Sequence, residues 1–285
     1  MSTLGQDWRM FTTAFLQYSG KGPMRHEETL LAAGLQRRGI PVRYYTIKRI
    51  HRRQLPLGPD AFIAGDMDAM HGAMRQLGMP VPEPDDYPAG LAGYLRREVW
   101  TSTLGEVERA FDIGSIPATF VKPADRRKSF TGAVCYSERD IAAFGNISRR
   151  QRVWCSEVVN WLAEYRVYVI DHRVVAIDHY DGDPTIPLDP NVVEAAVDAY
   201  HRSRTAPSAY GIDFGVLANG ETALVEANDG YALGAYAITA DVYTELIMRR
   251  WSELLASASP VGDQLDGAFH LESVGEVGEG YVGGG

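Results

Sequence analysis

Tyr210-Gly211-Ile212-Asp213-Phe214-Gly215-Val216-Leu217-Ala218-Asn219-Gly220-Glu221-Thr222-Ala223-Leu224-Val225-Glu226-Ala227-Asn228-Asp229-Gly230 reads as a β-hairpin. Two β-rich runs flank Asn219-Gly220, a dipeptide that favours a two-residue type I′ turn because both residues tolerate positive φ. Such a turn sets Ala218 across from Glu221 and, counting outward, Asp213 across from Glu226. Directly opposed side chains have Cβ atoms about 4.5–5.5 Å apart. Asn228, two residues past Glu226, shares its face because side chains alternate along a strand. Two carboxylates held that close repel, so one takes up a proton or a cation sits between them. The all-oxygen set Asp213, Glu226 and Asn228 suits Mg, which takes a few protein oxygens and completes its shell elsewhere. The same letters also fit a solvated hairpin face, although Phe214, Val216, Leu224 and Val225 make the surroundings apolar.

The whole chain has 285 residues, 45% of them hydrophobic, which is enough for an ordinary core and two or three modest domains. A net charge of -9 argues against general nucleic-acid binding, which draws its affinity from a basic surface. No apolar run approaches the roughly 20 residues needed to cross a bilayer. Gln6, Asp7 and Arg9 break up the N-terminus, so no secretory signal is expected and the cytoplasm is the expected compartment. Cys135 and Cys155 sit in apolar runs without a CxxC partner and read as reduced core residues. Only four of the 28 basic residues are lysines, and two of these, Lys122 and Lys128, lie within seven positions of each other.

Residues 1–85 read as a small α/β unit. Strands are expected at Phe11–Tyr18, Val42–Ile47 and Phe62–Gly65, with helices at Glu27–Arg38 and Met67–Leu77. The Pro- and Asp-rich run Met79–Pro88 is the expected linker. Beyond it the pattern predicts a helix over Leu91–Arg109, a strand at Phe120-Val121-Lys122, a basic loop Pro123–Gly132 and a strand at Ala133–Tyr136. Basic side chains, small hydroxyls and a glycine between two strands make a polyphosphate cradle, or simply a solvated turn. Val153–Val159 and Glu164–Ile170 read as strands, and the second turns at Asp171-His172 and returns over Arg173–Tyr180. Glu164, Arg166 and Tyr168 share one face of it. Helices are expected over Asn191–Arg204 and Thr239–Leu255, with a loop at Tyr231–Gly234 able to close over a ligand. The histidines form no metal-ligand spacing, and no nucleophile motif is present.

Phe120-Val121-Lys122-Pro123 with Phe130-Thr131-Gly132, Ser156-Glu157-Val158-Val159 with Glu164-Tyr165-Arg166, and Asp213-Phe214-Gly215 with Leu224–Gly230 come in a telling order. In that order the chain resembles the ATP-grasp superfamily, in particular a branch found in bacteria and phages, over roughly residues 60–255. The resemblance implies an α/β (α+β) ATP-grasp fold in which two α+β subdomains clasp ATP, preceded by a small α/β pre-grasp domain. The corresponding division is 1–85 for the pre-grasp domain, 86–158 for the lysine and loop subdomain, 159–258 for the metal-binding subdomain and 259–285 for an acidic Gly-rich tail. It also implies that Lys122 contacts the α/β-phosphates under a mobile loop carrying Lys128, Ser129 and Thr131. Glu157, Val158 and Val159 become the adenine hinge, Glu164 the ribose ligand, and Asp213, Glu226 and Asn228 the Mg ligands.

Two departures stand out. A second phosphate-binding lysine is usual before the strand of Lys122, and here Arg96 and Arg97 occupy the region, with Arg97 assigned to the role. Many ligases of the superfamily place an arginine just before the metal aspartate, where this chain has Tyr210-Gly211-Ile212, so Arg166 is the substitute. The activity implied is an ATP-dependent carboxylate-amine ligase working through an acyl phosphate on an amino acid, peptide or similar small carboxylate. A phosphotransferase and an inactive nucleotide-binding module remain alternatives. Expected partners are ATP, Mg and a small-molecule or peptide substrate, without nucleic acid or membrane, and a homodimer is left open.

Overall fold

The computed structural model describes residues 10–125 and 129–258. Lys128 and the 259–285 tail lie outside the described residues. The first unit is a parallel sheet ordered β2-β1-β3, built from β1 (Thr13–Gln17), β2 (Val42–Tyr45) and β3 (Ala61–Ala64). The connecting and following helices are α1 (His26–Arg37), α2 (Ile47–His51) and α3 (Met67–Gln76). Asp66 caps α3 by accepting from the Ala69 amide at 2.9 Å, satisfying one of the free donors of its first turn.

A second sheet, ordered β4-β7-β5-β6, is antiparallel throughout. Its elements are β4 (Val99–Thr103), α4 (Leu104–Asp112), β5 (Thr119–Pro123), β6 (Ala133–Cys135), α5 (Glu138–Ala143) and β7 (Arg152–Glu157). The third sheet, ordered β11-β10-β8-β9, is also antiparallel. It consists of β8 (Trp161–Ile170), β9 (Arg173–Gly182), β10 (Ala209–Leu217) and β11 (Thr222–Asp229), with α6 (Pro190–Ser203) and α7 (Ala240–Ala258).

Three apolar cores follow. Leu104, Val121, Val153 and both cysteines, which are free and buried, fill the middle one. Val193, Val197, Ile212, Phe214 and Leu224 pack α6 on the third sheet. The largest core joins the parallel sheet to α7: Phe62, Met70 and Leu35 pack with Leu246 and Trp251. The Trp251 indole donates to the Ala61 carbonyl at 3.0 Å, and a Cβ on Gly34 would meet Thr244 Oγ1, so α1 and α7 are in backbone-close contact. Among the described residues no helix is long and apolar enough to cross a membrane.

The structure corrects the expected helix over Leu91–Arg109. That segment is a 3-10 turn (Ala89–Tyr94), then β4, then α4. Val99, Thr101 and Thr103 are β-branched and alternate, which suits a strand. Thr103 then starts α4 through a capping box with Glu106, each side chain bonding the other's backbone amide. The expected loop after Gly230 begins as a 3-10 turn over Gly230–Ala232.

The hairpin turn also differs from expectation. Gly220 has φ +85°, Asn219 is not left-handed, and the Leu217 amide bonds the Glu221 carbonyl at 2.9 Å. The turn is therefore three residues long, Ala218 to Gly220, rather than a two-residue type I′ turn, and Val216 pairs with Thr222. A bulge between Leu224 and Glu226 then inserts one extra residue, Val225, and restores Asp213 opposite Glu226. Leu224 and Ala227 accordingly share the α6-side core although they are three positions apart, while Glu226 and Asn228 lie on the other face.

Candidate active site

Asp213 is 3% exposed in the middle of β10, beside Arg166 on β8. The guanidinium forks onto it, Nε to Oδ1 at 2.8 Å and Nη2 to Oδ2 at 2.6 Å. Glu226 lies opposite Asp213 on β11. Asn228 Nδ2 ties the two carboxylates together, donating to Asp213 Oδ2 at 3.3 Å and to Glu226 Oε1 at 3.1 Å. All three members of the expected Mg set thus meet on one face. Burial pushes the Asp213 carboxyl above the usual carboxylate range, against the pull of Arg166. Desolvation raises the half-buried Glu226 as well, but Lys122 overcomes that penalty and holds it below the usual range.

The donor set fits a hard divalent cation: two carboxylates and an amide oxygen, each carboxylate already drawing a cationic side chain. Among the described residues no group of three His, Cys, Asp or Glu side chains forms a self-sufficient metal cage. A cation here would complete its shell with ligand oxygens.

Lys122 reaches across from β5, the strand facing the hairpin in the second sheet. Its ammonium sits 2.5 Å from Glu226 Oε2 and 2.9 Å from Asp86 Oδ2, with the Tyr87 ring centroid at 4.5 Å. Burial by itself disfavours the charged form, but those contacts outweigh it and raise the pKa above the ordinary lysine value. Ser129 and Thr131 are exposed on the loop that leaves β5. Gly132 brings that loop back over the strand, where a Cβ would meet Phe120 Cζ at 2.8 Å and Lys122 Cβ at 3.0 Å.

Between the second and third sheets lies a cavity of about 340 Å³, lined by Lys122, Glu226, Glu164, Arg97, Tyr87 and the run Ser156–Val159. Glu157 turns its side chain away, Oε2 accepting from the Glu98 amide at 2.8 Å, while Val158 is 44% exposed. Glu164 is half-buried and accepts from the Tyr180 hydroxyl at 2.8 Å, and burial raises its pKa. Tyr180 stacks on Tyr236 at 4.9 Å, and the Tyr236 ring also lies 5.2 Å from the Arg166 guanidinium.

Arg97 enters this cavity with its donors engaged. Nη1 donates to the Leu95 and Leu224 carbonyls at 3.0 and 2.6 Å, and Nη2 to the Val225 carbonyl at 3.0 Å. Its guanidinium lies 5.1 Å from the Trp161 ring. The residue expected to bind phosphate is bound to the two carbonyls of the β11 bulge.

A larger cavity, about 600 Å³, opens on the far side of the same hairpin and is lined by Asn228, Asp229, Asp66 and His71 among others. It shares no residue with the first cavity, and the two meet at Glu226 and Asn228. The segment expected to close as a loop is strapped down. Gly234 accepts from Arg166, Tyr236 N–H donates to the Tyr168 hydroxyl at 3.1 Å, and Ala237 N–H donates to Asp178 at 2.9 Å. Sequence reading missed Asp86, Tyr87, Tyr180 and Tyr236. Tyr180 carried a signal, lying two strand positions from Asp178 on the β9 partner of Glu164 and Arg166; the others carried none.

Two antiparallel sheets closing on a lysine-and-carboxylate cavity are the architecture of a nucleotide-clasping domain, and the comparisons agree. Residues 94–246 match the model of an ATP-grasp domain, family 2 of its clade, and the chain belongs to that family. No curated protein matches. Among solved structures, the chain is similar to the D-cycloserine synthetase DcsG, with 13% identity, a TM-score of 0.55, and 85% of this chain and 99% of that one covered. It is also similar to a D-alanine–D-alanine ligase from Bacillus anthracis complexed with ATP, with 13% identity, a TM-score of 0.51, and 87% and 98% covered. At that identity the likeness shows a shared ATP-grasp fold.

Proposed function

We propose that the protein is an ATP-dependent ligase that joins a carboxylate to an amine through an acyl phosphate. The observation that supports this most directly is the convergence of Lys122, Asp213, Glu226 and Asn228 from facing sheets, with a cavity on either side of Glu226 and Asn228. ATP occupies the cavity lined by Ser156–Val159, its adenine on the backbone around Val158 and its ribose hydroxyls on Glu164. Lys122 meets the phosphates and stabilises charge on the transferred group, with Ser129 and Thr131 above it. Asp213, Glu226 and Asn228 hold Mg, which supplies charge neutralisation at the phosphates. With Mg in place Arg166, now the counter-ion of Asp213, is the cation nearest the reacting end.

The substrate carboxylate oxygen attacks the γ-phosphorus and ADP leaves. The amine then attacks the acyl carbon, the phosphate departs with its bridging oxygen, and the amine loses a proton. No protein nucleophile is required. The acid substrate is an amino acid, a peptide or a similar small carboxylate. Release of ADP and orthophosphate only when both an acid and an amine are present is the expected result, abolished by Lys122→Ala and by Asp213→Asn. Unchanged ATP consumption in both variants across a broad panel of acids and amines overturns the reading, and phosphate retained on one substrate identifies a phosphotransferase instead.

A further inference from the structure

Residues 94–246 carry the family domain, yet the ammonium of Lys122 is held from outside it. We propose that Asp86, with Tyr87 beside it, is a positioning residue for Lys122, so that the segment preceding the family domain completes the nucleotide site. The proposal rests on reading Lys122 as a phosphate contact.

Asp86 comes from the proline-rich run that reads as a linker in sequence, but it is 6% exposed. Its carboxylate lies 2.9 Å from Lys122 Nζ, and its own carbonyl accepts from the Ala227 amide at 2.9 Å. Ala227 stands between Glu226 and Asn228 on β11, the edge strand of its sheet, so one residue of the linker is fastened to the hairpin by its backbone and to β5 by its side chain. Tyr87 extends the attachment. Its ring lies under the Lys122 ammonium at 4.5 Å and meets Trp154 edge-on at 5.0 Å, and Trp154 is the β7 residue paired with Lys122.

The chemistry gives Asp86 a task distinct from that of Glu226. Both carboxylates contact the same ammonium. Glu226 also belongs to the Asp213–Asn228 set, so a Lys122 with Glu226 as its sole counter-charge competes with a divalent cation for that carboxylate. Asp86 gives the ammonium a permanent partner on the linker side and leaves Glu226 available. A lysine fixed between a carboxylate and an aromatic face has lost most of its rotamer freedom before nucleotide arrives, which is the advantage of preorganisation.

The sign of the effect separates this role from simple proximity of charge. A carboxylate that merely lies near the phosphates repels them, and neutralising it tightens nucleotide binding. A carboxylate that aims Lys122 does the opposite. The test is calorimetric titration of the full chain with Mg·ADP and Mg·ATP for the parent, Asp86→Asn, Lys122→Met and the double variant. The expected result is binding weakened ~10-fold by Asp86→Asn, with no further loss from that change in the Lys122→Met background, because coupled residues are non-additive. Unchanged or tighter binding in Asp86→Asn, with weaker binding in Lys122→Met, overturns the role of Asp86 and leaves the nucleotide site standing. Unchanged binding in Lys122→Met removes the reading on which both rest. Should circular dichroism show Asp86→Asn unfolded, Asp86→Glu keeps the charge and displaces it by one methylene: weaker binding than the parent supports the role, and equal binding overturns it.

Discussion

Arg97 gives the sharpest separation between what the letters suggested and what the fold does with them. Its guanidinium donates to the carbonyls of Leu95, Leu224 and Val225 at 3.0, 2.6 and 3.0 Å. The last two carbonyls flank the bulge that brings Glu226 opposite Asp213. A hydrogen bond involving a charged group contributes about 1.5–3 kcal/mol, and an orphaned buried acceptor costs about 1–3 kcal/mol. Such terms are not additive, and water reaches part of the site, so Arg97→Met is expected to cost about 3 kcal/mol of folding stability. Arg97→Lys keeps the charge but not the planar fork that spans two carbonyls, and about 2 kcal/mol is expected. Urea unfolding at neutral pH reads both variants, with Mg·ADP titration in parallel. If Arg97→Met unfolds within about 0.5 kcal/mol of the parent, the range of an ordinary surface change, and its defect is confined to nucleotide binding, the guanidinium serves phosphate and the clamp is refuted.

Glu164 and Glu226 should respond to pH with opposite signs. Burial raises the Glu164 pKa, so its ionisation destabilises the fold as pH rises from the unfolded to the folded value; Glu164→Gln is expected to melt higher than the parent at pH 7–8, the difference vanishing in acid. Glu226, held low by Lys122 against the opposing effect of desolvation, contributes stability present above its unfolded pKa and lost as pH falls through the folded one, so Glu226→Gln is expected to melt lower at pH 7 and to match the parent in strong acid. Gly215→Ala puts a Cβ 2.3 Å from Trp161 Cε3, beneath the ring that packs on Arg97, and should cost about 1–3 kcal/mol in urea unfolding. Gly220→Val forces a β-branched residue into φ +85° in open space, a strain of about 1–2 kcal/mol without a packing change, visible as a lower melting temperature with nucleotide affinity retained.

Much of the architecture was legible because local patterns and tertiary demands agreed. The parallel β1–β3 unit, the β8–β9 turn at Asp171-His172 and α6 all lie where alternation, turn residues and helical spacing put them. The Leu91–Arg109 helix failed because its scattered leucines fit a helical period, while the strand signal at Val99–Thr103 spans only five residues. Asp213 does lie opposite Glu226, but by two offsets that cancel: the turn holds one residue more than expected, and the bulge adds one back. Turn chemistry around Asn-Gly admits both closures, and nothing in Leu224-Val225-Glu226 announces a bulge. Asp86 was out of reach for a different reason. Its partner is 36 positions away in sequence, and a proline-rich acidic run reads as a linker until its carboxylate is seen against Lys122.

The cancellation has a consequence for chain length. Deleting Val225 while keeping the three-residue turn leaves Asp213 opposite Glu226 in an unbroken ladder, since the pairs Val216–Thr222, Gly215–Ala223 and Phe214–Leu224 then run straight on. A shorter hairpin could therefore present the same carboxylates. What it would lose is the out-turned pair of carbonyls at Leu224 and Val225, the only purchase Arg97 has on β11 among the described hydrogen bonds. The additional residue is thus a handle: it trades the economy of a regular strand for a point at which the segment before β4 can grip the far sheet and hold the jaws in register.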